Sequence, residues 1–145
     1  MHFKNTILFI GLTLTMGACA TYTLPVNSLT EQLQEAKSNP QQINTKLNGP
    51  TVMGNFSYQM NGVDTLKVYN SKGQIVKIKN APSIEMQLTL KNGKIRTYYF
   101  DSVTLTNDSI KGCYSRFLNR YSTIAIKDIE SIGVQNAKKG FNYDK

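Results

Sequence analysis

The segment from Ile84 to Leu90 constrains the fold more than any other part of this chain. Ile84, Met86, Leu88 and Leu90 alternate with Glu85, Gln87 and Thr89. A helix cannot gather residues two apart onto one face, whereas a strand with one buried and one polar side does so directly. Asn92-Gly93 follows, a dipeptide that tolerates the backbone angles of a tight turn, and Lys94 to Phe100 returns as a second strand. That strand carries Ile95, Thr97 and Tyr99 on one side and Arg96, Tyr98 and Phe100 on the other. Both sides are substantial, which predicts a central or curled strand with an aromatic face under a helix.

The same grammar extends in both directions. Val52 to Met60 and Asp64 to Tyr69 read as a hairpin about Asn61-Gly62, and Ser71-Lys72-Gly73 turns the chain into Gln74 to Lys79. Downstream, Val103 to Leu105 and Ser109 to Tyr114 flank Asn107-Asp108, with Gly112 read as a bulge. Thr123 to Ile126, a single turn at Lys127 to Glu130, and Ser131 to Gln135 complete the pattern. Strand, turn, strand is also the order in which SH3-like barrels close. The expectation is a mainly β domain of seven to nine antiparallel strands, in a small barrel or a strongly curled sheet. Ahead of it, Ser28-Leu29-Thr30-Glu31 matches a capping box and predicts a helix over Leu29 to Lys37, ended by Ser38-Asn39-Pro40 and covering an open side of the sheet. Gln41 to Pro50 reads as a polar connector, and residues 137–145 as a loose basic tail.

The first 19 residues have a different character. Lys4 precedes an apolar run from Thr6 to Thr15 that is shorter than the ~20 residues of a spanning helix. Leu14-Thr15-Met16-Gly17-Ala18-Cys19 resembles the lipobox of bacterial lipoprotein signals, with small residues before the cysteine and Met16 where the pattern usually has leucine. The resemblance implies a signal peptide over 1–18, acylation of Cys19 by two or three chains, and a tether over 19–27. Each buried methylene contributes about 0.8 kcal/mol, so such an anchor is nearly permanent. Ala20 resembles the outer-membrane sorting choice of enteric bacteria, which places the domain on the periplasmic side. The alternative is cleavage after Ala18-Cys19-Ala20, giving a soluble periplasmic protein from Thr21. The segments Asp108-x-Ile110-x-Gly112 and Ile124-x-Ile126-x-Asp128-Ile129-x-x-Ile132-x-Val134 resemble small Bacteroidota lipoproteins without known activity. Asp64-Thr65-Leu66, Asp101-Ser102-Val103 and Asp108-Ser109-Ile110 resemble the acceptor triplets of O-glycosylation in the same bacteria.

Composition narrows the chemistry. The one histidine is His2, inside the signal, so the mature chain of residues 19–145 carries no imidazole for a Ser-His or Cys-His nucleophile. Of two cysteines Cys19 is assigned to the lipid, which leaves Cys113 without a disulfide partner. No serine is followed three residues later by lysine, and the spacing of Glu85, Asp101, Asp108, Asp128 and Glu130 singles out no catalytic pair. The expectation is a non-catalytic chain without cofactor or metal.

Charge supplies the remaining signal. The chain is net +8, and loss of Lys4 with the signal leaves +7. Lys67, Lys72, Lys77, Lys79, Lys91, Lys94 and Arg96 all fall on consecutive expected hairpins, with Tyr58, Tyr69 and Tyr98 nearby. They form a candidate contact for anionic lipid or an acidic envelope protein, set against the plainer role of lysines that keep sheet edges from associating. Export removes nucleic acid as a partner. The main expectation is a membrane-anchored binding or scaffolding module. An inhibitor or immunity-type lipoprotein that blocks a partner through Tyr114 to Tyr121 is the alternative.

Overall fold

The computed structural model describes residues 21–37, 44–48, 57–137 and 142–143. In chain order these form β1 (Thr21–Thr23), α1 (Val26–Lys37), β2 (Asn44–Asn48), β3 (Ser57–Gln59), β4 (Thr65–Tyr69), β5 (Ile75–Lys79), β6 (Ile84–Leu90) and β7 (Ile95–Tyr99). A 3-10 turn at Phe100–Ser102 leads to β8 (Thr104–Thr106), β9 (Ser109–Ser115) and β10 (Arg120–Ala125). A second 3-10 turn at Ile126–Asp128 leads to β11 (Ile129–Asn136), and β12 (Asn142–Tyr143) follows. The domain is mainly β, as expected, with more strands than seven to nine. They form open antiparallel sheets in the orders β5-β4-β1-β11-β6-β7, β10-β9-β8 and β12-β2-β3. Among the described residues no sheet closes into a barrel, and the turn between β10 and β11 passes the chain from one sheet to another.

The largest correction lies at the start. Residues 19–27 were expected to be a tether, yet β1 occupies the middle of the six-stranded sheet, pairing Thr21 with Gln135, Tyr22 with Val134 and Thr23 with both Gly133 and Tyr69. The Leu24 N–H continues the ladder to the Ile132 carbonyl at 3.0 Å, and the Leu24 side chain is buried. Three residues are too few to show a period, but Thr-Tyr-Thr is strand-forming in composition. Without it the edges of β4 and β11 would stand open.

α1 begins at Val26, three residues before the expected start, because Pro25 presets the first turn and its carbonyl accepts the Leu29 N–H at 3.0 Å. Ser28 is therefore inside the helix, and its hydroxyl accepts from Gln32 Nε2 at 3.1 Å instead of capping. Leu29 and Leu33 are buried and Ala36 packs against the core. Gln32 does what the missing length of β1 would have done. Its side-chain amide accepts the Lys67 N–H at 2.8 Å and donates to the Lys67 carbonyl at 3.1 Å, completing the open edge of β4. In this sense the helix covers an open side of the sheet, as expected.

β6 follows its alternation on the inner face, where Ile84, Met86, Leu88 and Leu90 are buried. Glu85 on the opposite face is buried as well, accepting from Gln135 Nε2 at 3.3 Å. β7 is an edge strand rather than a central one. Its Tyr98 is nevertheless buried, as is Phe100 in the turn that follows, and β9 lies against Tyr98. Gly112 is not a bulge. It pairs in register with Ser122, and a Cβ there would sit 2.5 Å from Tyr98 Cγ, so glycine is required by close approach of the ring. The bulge falls instead at Tyr114, where Arg120 pairs with Ser115 and Tyr121 with Cys113.

The turns at Asn70–Gln74 and Leu90–Lys94 share one construction, with Gly73 and Gly93 at φ 74° and 80° and an asparagine side chain accepting the backbone N–H of Lys72 or Lys94. Asn61-Gly62 turns no hairpin, because β3 pairs with β2 in the expected connector and β4 pairs with β5 and β1. Asn61 is a buried clamp, donating from Nδ2 to the carbonyls of Phe100 at 2.6 Å and Val103 at 3.0 Å. Residues 52–56 of the expected first strand lie outside the described set. The tail contributes β12, which pairs with β2.

Candidate functional site

The seven basic candidates do not form one surface. β1 and β11 stand between the β4–β5 and β6–β7 hairpins, so neighbours in sequence occupy opposite edges of the sheet. Lys67, Lys77 and Lys79 are exposed on the outer face of β4 and β5, with Lys67 directly opposite Lys77. Lys72 sits in the turn joining those strands. Lys91 and Lys94 occupy the turn of the other hairpin, and Arg96 projects from β7 with one guanidinium nitrogen on the Ile95 carbonyl at 3.1 Å. Of the tyrosines expected nearby, Tyr98 is buried and bonds the Ser122 hydroxyl at 2.7 Å. Burial holds its phenol above the ordinary range.

The two hairpins also point their turns in opposite directions. Thr21, Gln135, Glu85 and Tyr99 form one row across the sheet, marking the end at which the chain arrives from Cys19. The register of β4 on β1 sends the Lys72 turn past that same end. Lys91 and Lys94 lie at the opposite end, about 20 Å away at ~3.4 Å per residue along β6. Cys19 itself lies outside the described residues.

A second group of side chains converges beside Tyr99. The Asp101 carboxylate is fully buried by its neighbours, accepts the Tyr58 hydroxyl, and pairs with Arg116 Nη2 at 2.6 Å. The Arg116 side chain is only 9% exposed. Its guanidinium carbon lies 4.0 Å from the Tyr99 ring centroid and 5.1 Å from that of Tyr58, a cation held between two aromatic faces. Arg116 Nε and Nη1 are buried without a hydrogen-bond partner. Above this root the β9–β10 turn carries Phe117 and Leu118, exposed at 74% and 57%, with Tyr114 and Tyr121 also exposed. The turn is closed by Asn119 N–H on the Arg116 carbonyl at 3.2 Å, with Asn119 at φ 48°.

Tyr114 to Tyr121 is the segment that the inhibitor alternative would use, and its turn is exposed. Its buried ion pair went unforeseen. Asp101 and Arg116 are 15 positions apart in no motif, and only the 3-10 turn after β7 and the run of β9 bring them together. The charges cannot be read as a catalytic pair, because the carboxylate is occupied by an arginine and a phenol. Cys113 is buried under Tyr121, and burial raises its thiol above the ordinary 9.0, away from the thiolate a nucleophile needs. Among the described residues no three metal-ligating side chains converge, and no helix is long and apolar enough to cross a membrane.

The acceptor-like triplets separate by exposure. Ser102 is buried, donating to the Tyr99 carbonyl at 2.7 Å and accepting the Cys113 N–H at 3.0 Å. Its hydroxyl has no room for a sugar. Thr65 is exposed and Ser109 half-buried at strand starts. No protein-family model, curated protein or solved structure matches this chain.

Proposed function

We propose that the chain is a non-catalytic, lipid-anchored module of the cell envelope. It is held at Cys19 on the periplasmic side of the outer membrane and binds an acidic partner protein through the Lys67, Lys77 and Lys79 face. One observation carries the reading of the face: Lys67 and Lys77 stand directly opposite each other on paired strands, with Lys79 on the same side. Like charges in that position destabilise a sheet, and a row of carboxylates on a partner would offset the repulsion. Anionic lipid suits this face less well. Lys67 and Lys77 lie two residues, about 7 Å, and Lys79 about 14 Å beyond the Tyr69–Ile75 pair nearest the Cys19 end, whereas attraction to a charged leaflet fades over ~8 Å.

The test uses the acylated chain reconstituted in neutral vesicles with a fluorescent poly-glutamate peptide as the probe. Binding should weaken with salt and be lost in Lys67→Glu/Lys77→Glu while surviving in Lys91→Glu/Lys94→Glu. Equal loss in both pairs would reduce the face to general charge. No binding at low salt, together with a partner cross-linked only through the β9–β10 turn, would favour the inhibitor reading.

A further inference from the structure

The β9–β10 turn lies at the end of the sheet to which the Cys19 anchor delivers the chain. Arg116 stacks on Tyr99, and Tyr99 closes the row that begins at Thr21, three strand spacings or about 14 Å away. We propose that this turn is a second membrane contact, in which Phe117 and Leu118 enter the interfacial layer of the bilayer beside the acyl chains of Cys19. The inference rests on the anchorage proposed above.

Three features point to lipid rather than protein as the occupant. With β1 starting at Thr21, only Ala20 separates Cys19 from the sheet, so this end of the domain cannot stand far from the headgroups. The apolar pair is flanked by Tyr114, Tyr121 and Arg120, amphipathic and cationic groups that suit the zone between acyl chains and water. No acidic residue occurs between Asp108 and Asp128, while Lys111, Arg116, Arg120 and Lys127 do, so nothing in the hairpin opposes an anionic leaflet. The Arg116–Asp101 pair fixes the root of the turn, which presents Phe117 and Leu118 in one orientation rather than as a floppy loop.

The chain contains no tryptophan, so Phe117→Trp and Leu118→Trp each introduce a single fluorescent reporter at an exposed site where folding is not at stake. An Asn92→Trp variant marks the opposite end. The acylated full chain is reconstituted in phosphatidylethanolamine–phosphatidylglycerol vesicles, with lipids brominated along the acyl chains as quenchers. The expected result is blue-shifted emission and loss of intensity for the two turn variants, and neither for Asn92→Trp. Water-like, unquenched emission from both turn variants on a chain whose mass confirms acylation overturns the contact. A blue shift without bromine quenching overturns it too, because the turn is then covered by protein. A chain that lacks the acyl mass on Cys19 instead refutes the anchorage.

Discussion

Breaking the ion pair beneath the β9–β10 turn should destabilise the domain more than its small size suggests. Asp101→Asn keeps the shape of the side chain and removes the charge, leaving the Arg116 guanidinium 9% exposed and without its counter-ion. Two of its nitrogens already lack a partner, so it has no other acceptor to fall back on. Removing one member of a buried pair costs about 3–5 kcal/mol, a large share of the ~5–15 kcal/mol that holds a domain of this size together. Arg116→Met should cost a similar amount, because it leaves the buried carboxylate without its counter-ion and gives up the aromatic contacts at 4.0 and 5.1 Å. The double variant removes the stranded charge as well as the pair, so its cost should fall well below the sum of the single costs. In urea, at an m of roughly 1.5 kcal/mol/M, each single change should lower the unfolding midpoint by about 2–3 M. Single costs below ~1 kcal/mol, or strict additivity in the cycle, would refute the reasoning and make the pair a surface interaction in effect.

Two further outcomes follow from packing and burial. Gly112→Ala should destabilise by about 1–3 kcal/mol, since the new methyl meets the buried Tyr98 ring at 2.5 Å, and a Tyr98→Leu change in the same chain should recover part of the loss; calorimetric Tm values of the two variants check this. The raised thiol of Cys113 favours the protonated form in the fold, so its contribution is complete below the unfolded value of 9.0 and is lost as pH rises through the higher folded value. Urea midpoints measured from pH 8 to 10.5 should therefore fall in the native chain and fall less steeply in Cys113→Ala, and parallel profiles would show that the thiol is not the titrating group.

The legibility of this sequence followed element length and contact distance. β6 and β7 were readable because seven alternating residues and a glycine turn carry their own geometry. β1 was not: three residues are too short for a period, and what makes them a strand is the pair of open edges offered by β4 and β11 from far along the chain. Asn61-Gly62 misled for a related reason. The dipeptide permits a tight turn but does not require one, and Asn61 finds stronger use for its amide on the Phe100 and Val103 carbonyls. The seven basic residues are each exposed, but their grouping was a question of strand order, which local pattern does not contain. The exposed turn at Phe117 was legible as a basic loop, Arg116 to Arg120, between two strands. The Asp101–Arg116 root beneath it depends on a crossing that no spacing rule describes.

The position of β1 also changes what the lipid anchor would do. A free tether from Ala20 to Asn27 would let the domain swing over ~30 Å, and a partner could reach any face of it. A strand paired on both sides that starts at Thr21 removes that freedom, since Cys19 then follows the sheet through a single intervening residue. With an acylated Cys19, the Lys72 turn and the β9–β10 turn would thereby be carried toward the leaflet, and Lys91 and Lys94 away from it. Two contacts with the bilayer, the acyl chains and an apolar turn about three strands across, would fix tilt as well as height. The Lys67, Lys77 and Lys79 face would then look sideways along the membrane rather than into it, which is the orientation that the proposed acidic partner, standing on the same surface, would require.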